Sequence, residues 1–84
     1  SAQATLALHA IEKWRDDLIA SDDAVQLWIS QHPGTDVQQL RALVRQARKD
    51  SQPSADEVSR GLAPRRGRAY REIFQLVKEA MDDE

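Results

Sequence analysis

Seven arginines and one lysine stand at spacings that suit the binding of anions. Arg65, Arg66, Arg68 and Arg71 put four guanidinium groups into seven residues of the stretch PRRGRAYREIFQ, and Arg41, Arg45, Arg48 and Lys49 form a second group. A guanidinium is planar, permanently charged and carries a fork of N–H donors that meets two phosphate oxygens at once. Gly67 interrupts the first group. A residue without a side chain there would let backbone amides at the start of a helix approach a phosphate, with the helix dipole adding to the attraction.

The distribution of charge gives these groups their context. The chain has 84 residues and a formal net charge of −2, with 12 basic and 14 acidic residues. Nine of the basic residues lie between Arg41 and Arg71 against three acids there, so the segment has a local excess of six positive charges. The remaining residues hold three bases and eleven acids. A basic face can therefore hold phosphates while acidic segments elsewhere keep the molecule near neutral.

Other chemistries find little footing. Glu12, Asp16 and Asp17 cluster on one helix, but neither a nucleophile motif nor a glycine-rich phosphate loop accompanies them, so the sequence does not read as an enzyme. The chain contains no cysteine, which excludes a disulfide framework and a cysteine-based zinc site and suits a reducing, cytoplasmic setting. His9 and His32 lack a ligand set and read as a helix-surface and a helix-end residue, so no metal or other cofactor is expected. No apolar run approaches the roughly 20 residues a membrane span requires, so no membrane association is expected. No small-molecule substrate is expected either.

Helices must position these groups, because apolar residues recur every three or four positions throughout. Ala4, Ala7, Leu8, Ile11, Trp14 and Leu18 make the stripe of a first helix over about 3–20, with Arg15 inside it. A charge in such a stripe needs a partner, and Glu12 or an acid from a neighbouring helix is expected to serve Arg15 in a structural role. Ser21, Asp22 and Asp23 offer caps for a short second helix carrying Val25, Trp28 and Ile29, which Pro33 and Gly34 end. Thr35 with Gln38 reads as a capping box for a third helix whose Val37, Leu40, Leu43, Val44 and Ala47 face inward. Ser54 and Glu57 read as another capping box in the connector, with Gly61 as a stop. A last helix over about 66–81 carries Tyr70, Ile73, Phe74, Val77 and Met81. The expected core joins Leu8, Ile11, Trp14, Leu18, Val25, Trp28, Leu40, Val44, Ile73, Phe74 and Val77. The expected fold class is all-α, a bundle of three main helices plus one short one, with residues 1–84 as one domain.

On these wheels Arg41, Arg45 and Arg48 form a ridge beside the buried stripe of the third helix. Arg68, Arg71, Gln75 and Lys78 form a polar stripe on the last, led in by Arg65 and Arg66. Two basic edges on neighbouring helices would make one groove or patch.

The segments LHAIEKWRDDLIA, HPGTDVQQLRALVRQARKD and YREIFQLVKEA follow one another in order over nearly the whole chain. Together they resemble the successive signatures of the C-terminal half of the YjgA family, the DarP dual-action ribosomal maturation proteins. The resemblance implies an all-helical rRNA-binding factor that associates with immature large ribosomal subunits, helps mature the peptidyl transferase centre and carries no enzymatic chemistry. It also implies that the chain is the C-terminal module of a longer protein. Arg15, Arg41, Arg45, Lys49 and Arg71 match the family's basic pattern, whereas Arg48, Arg65, Arg66 and Arg68 are this chain's own. Val37 stands where the family usually has arginine, and RRGR replaces its Pro-Pro-Lys lead into the last helix. The partners expected are rRNA of the large subunit and pre-ribosomal particles. The rival reading is a protein-interaction module that docks its basic face on an acidic partner, and a weaker one is a structural cap for the rest of the longer chain.

Overall fold

The computed structural model describes residues 1–62 and 66–82, and it holds five helices: α1 (Ala2–Ala20), α2 (Asp22–Gln31), α3 (Val37–Asp50), α4 (Ala55–Ser59) and α5 (Arg68–Asp82). The all-α class is as expected. The count differs, because the second helix has ten residues and ranks with the long ones, leaving α4 as the short element.

Each start has a local cause. Ser21 serves two helices: its backbone N–H donates to the Asp17 carbonyl at the end of α1, and its Oγ accepts from the amides of Asp23 and Ala24 at the start of α2. α1 and α2 therefore join with a single residue between them. The α3 cap is Asp36, whose carboxylate accepts from the Gln39 amide, in place of the expected Thr35–Gln38 capping box. Thr35 is drawn elsewhere, since its Oγ1 accepts the indole N–H of Trp28 at 3.0 Å. A fully buried indole donor without an acceptor costs more than a surface cap contributes, so the hydroxyl goes to the tryptophan. α4 has the expected capping box of Ser54 and Glu57. It ends with the Leu62 amide donating to the Glu57 carbonyl and the Gly61 amide to that of Val58, with Gly61 at φ +68°, which is the Schellman pattern. α5 begins at Arg68, two residues later than expected.

α1 packs against α2, α3 and α5, and α3 packs against α5. The core comprises Ile11, Leu18, Val25, Trp28, Leu40, Val44, Ala47, Ala69, Ile73 and Val77. Ala69 joins it as a small residue at the close approach of α5. Three expected members differ. Trp14 and Phe74 flank the core half-buried, and Leu8 is exposed because the first turns of α1, residues 2–9, have no covering neighbour among the described residues. The Trp14 ring meets Trp28 edge-on, with centroids 5.1 Å apart, and Trp28 stacks on His32 at 3.6 Å. These rings lock the α2–α3 turn onto α1.

Arg15 is buried, as a residue of the α1 stripe must be, but neither Glu12 nor an acid of another helix pairs with it. Its Nε donates to Asp16 Oδ1 at 3.0 Å, and its guanidinium lies 4.1 Å from the Tyr70 ring centroid and 5.9 Å from that of Phe74. The countercharge is the next residue of the same helix, and aromatic faces on α5 add to it.

Candidate nucleic-acid interface

The third helix presents Arg41, Arg45, Arg48 and Lys49 along the flank that faces α2. Together with Asp22, Val25, Val44 and Gln52 they line an open groove of about 440 Å³. The residues reach this flank because Leu40, Val44 and Ala47 pin the adjoining stripe of α3 into the core, and the helical repeat then turns the intervening cations out. Among the described residues Arg41, Arg45 and Lys49 make no ion pair or side-chain hydrogen bond, so their charges face solvent.

Arg48 is different. Its Nε donates to the Ile19 carbonyl at 2.7 Å, its Nη2 to the Leu18 carbonyl at 3.3 Å, and its Nη1 pairs with Asp22 Oδ1 at 2.8 Å. The carbonyls at the end of α1 have no intrahelical donors, and a cation there also meets the negative end of the helix dipole. One side chain thus ties α1, α2 and α3 together. The sequence held a signal for this: at roughly 100° per residue, Arg48 lies about 40° from Val44, nearer the buried stripe than Arg41 or Arg45.

The basic residues of α5 do not join this groove. Arg68 lines a separate cleft with Leu43, Gln46, Asp50, Ala69 and Glu72, on the opposite flank of α3, so the expected union of two basic edges is not formed among the described residues. Arg68 also pairs with Glu72 at 2.8 Å, an exposed i,i+4 bridge. The Arg66 guanidinium lies 5.1 Å from the Tyr70 ring. Arg71 is exposed without an ion-pair partner among the described residues, and Arg65 lies outside them.

Gly67 does sit where its lack of a side chain matters, but the anion beside it is the protein's own. A methyl group on Gly67 would stand 2.5 Å from Asp50 Oδ2 and 3.1 Å from its Cγ. The Asp50 carboxylate, held by Gln46 Nε2 at 2.8 Å, occupies the approach to the start of α5 that a phosphate would have used. The described residues contain no group of three or more histidine, cysteine, aspartate or glutamate side chains able to hold a metal ion. None of their helices is long and apolar enough to cross a membrane.

Fold and groove together define a small α-helical domain with a cationic cleft between two helices. The sequence model of the dual-action ribosomal maturation protein DarP matches residues 1–78, and the chain belongs to the DarP family. It is 42% identical over 81 residues to the DarP protein of Thiobacillus denitrificans, an alignment covering 96% of this chain and 40% of that protein. It is 40% identical over 79 residues to that of Cupriavidus pinatubonensis, covering 94% and 34%. To that of Burkholderia ambifaria it is 44% identical over 77 residues, covering 92% and 34%. The chain thus spans roughly a third to two fifths of the length of these relatives.

Proposed function

We propose that this chain is the C-terminal, RNA-binding module of a ribosome-assembly factor, which associates with immature large ribosomal subunits and promotes maturation of the peptidyl transferase centre by holding rRNA phosphates. The observation that carries the reading is the α2–α3 groove, where Arg41, Arg45 and Lys49 make no ion pair among the described residues. Free cations aligned on one side of a near-neutral domain cost stability through mutual repulsion, and a polyanion relieves that cost. Arg66, Arg68 and Arg71 supply a second, weaker phosphate surface at the start of α5. Arg65 belongs to the same basic group in the sequence and lies outside the described residues. Membership of a family named for ribosomal maturation supports the same partner. The role is one of binding rather than catalysis, exercised in the cytoplasm where ribosomes are assembled.

Sedimentation of the chain with large-subunit precursor particles, with and without nuclease, tests the reading. Co-sedimentation that weakens log-linearly with salt and is lost after nuclease treatment is expected. Co-sedimentation that survives nuclease would replace rRNA with an acidic protein partner.

A further inference from the structure

We infer that the α2–α3 groove follows the phosphodiester backbone of one RNA strand through Arg41, Arg45 and Lys49, and that Arg48 is the positioning residue of this row instead of one of its ligands. The inference rests on the RNA-binding reading above and divides labour among four cations that composition alone treats alike.

The three ligands recur every fourth residue, so their Cα atoms climb α3 in equal steps of about 6 Å and turn about 40° per step around it. The result is a ladder of evenly spaced point charges, the complement of a polymer that repeats one negative charge per residue. Among the described residues no ion pair or side-chain hydrogen bond ties up any member of this ladder. Each of the three can therefore exchange the solvent cations around a phosphate for itself.

Arg48 cannot do this on equal terms. Three of its five N–H donors already serve Leu18, Ile19 and Asp22. A swing toward a phosphate would strand two carbonyls at the end of α1 and leave the Asp22 carboxylate in the groove facing the RNA. Arg48 and Asp22 enter and leave the complex as a neutral pair, so they add no counterion release. What they supply is rigidity: α3 is fastened at its C-terminal end to the α1–α2 junction, and the ladder is held in line with the groove. Contacts of this kind touch no base edge, so the groove takes a strand of any sequence.

The test measures binding of fluorescent oligouridylate and oligoadenylate by anisotropy over a series of salt concentrations, well below the melting temperature, with far-UV circular dichroism to establish that each variant is folded. The expected results are equal affinity for the two RNAs, and a log-log salt slope that falls by about two units in Arg41→Gln/Arg45→Gln/Lys49→Gln, at about 0.7 per phosphate contact on a single strand. The charge-retaining triple Arg41→Lys/Arg45→Lys/Lys49→Arg keeps the slope. Arg48→Gln/Asp22→Asn, which leaves the net charge of the groove unchanged, lowers affinity at unchanged slope. If it does not fold, Arg48→Lys serves in its place with the same expectation.

An unchanged slope in the glutamine triple overturns the ladder. A slope loss on changing Arg48 and Asp22 overturns the positioning role, and so does unchanged affinity in that variant. Failure of the unaltered chain to bind either RNA at low salt overturns the RNA-binding reading itself, and this inference with it.

Discussion

The guanidinium of Arg15 lies 4.1 Å from the centroid of the Tyr70 ring, so that a buried charge on α1 rests on an aromatic face of α5. Its carboxylate neighbour, Asp16, is largely exposed, which means that removing Arg15 strands no buried anion. The cost of Arg15→Ala is accordingly one of packing and cation–π attraction, about 2–3 kcal/mol, below the 3–5 typical of a broken buried ion pair. Arg15→Met, which keeps the length of the stem, is expected to lie within about 1 kcal/mol of wild type. Urea denaturation of both variants checks this, and equal losses for Met and Ala would show that the charge itself is required.

Arg48 is expected to matter more than its ion pair. Asp22 is well exposed, so the pairing with Arg48 should contribute under about 1 kcal/mol in a double-mutant cycle. The bonds to the Leu18 and Ile19 carbonyls satisfy helix-end acceptors, and Arg48→Met should cost about 1–2 kcal/mol in total. A cycle that returned the whole loss as Arg48–Asp22 coupling would contradict this division.

Gly67 tolerates no larger residue while Asp50 keeps its place. Gly67→Ala forces the Asp50 carboxylate, the movable end of its side chain, to turn aside and should destabilise by about 1 kcal/mol or less. In the Asp50→Ala background the same change should be neutral or slightly stabilising, because the carboxylate it meets is gone. Thermal melts of the four proteins in the cycle measure the difference.

The turn between α2 and α3 separates two roles that the sequence merges. Thr35→Val leaves the indole N–H of a fully buried tryptophan without an acceptor and should cost about 1–3 kcal/mol, whereas Thr35→Ser should be close to wild type. Asp36→Ala removes the α3 cap for about 1 kcal/mol. Chemical denaturation ranks the three, and a Thr35→Val variant as stable as Thr35→Ser would remove the indole bond from the account.

The helices were readable because their apolar residues keep the helical repeat and their caps are local: Ser21, Ser54 and Gly61 act within a few residues of themselves. Tertiary competition was not readable. Thr35 looks like a cap until Trp28, seven residues earlier, claims its hydroxyl. The same limit governs the candidate interface. The α3 wheel alone puts Arg41, Arg45 and Arg48 on one ridge, but the carbonyls that occupy Arg48 lie 29 and 30 residues away in the chain, so nothing local separates it from the other two. Which flank of α3 faces α5 depends on how the helices pack, and that placed Arg68 across the helix from the groove. The sequence suggests that Gly67 admits a phosphate to the start of the last helix, whereas the group beside it is an internal carboxylate. What approaches it, Asp50, sits seventeen residues earlier at the end of α3, and local sequence does not show that the two meet.

The packing of α5 on α1 also sets when the domain can come into being. Ile73 and Val77 have no solvent exposure and share one core with Ile11 and Leu18 of α1, which α5 packs against, so elements far apart in the chain close that core. During synthesis α1, α2 and α3 emerge first, with the α5-facing sides of α1 and α3 still open to water. Completion must wait for α5 to leave the ribosomal exit, and a nascent chain stalled before that point offers sticky apolar surface in place of a finished fold.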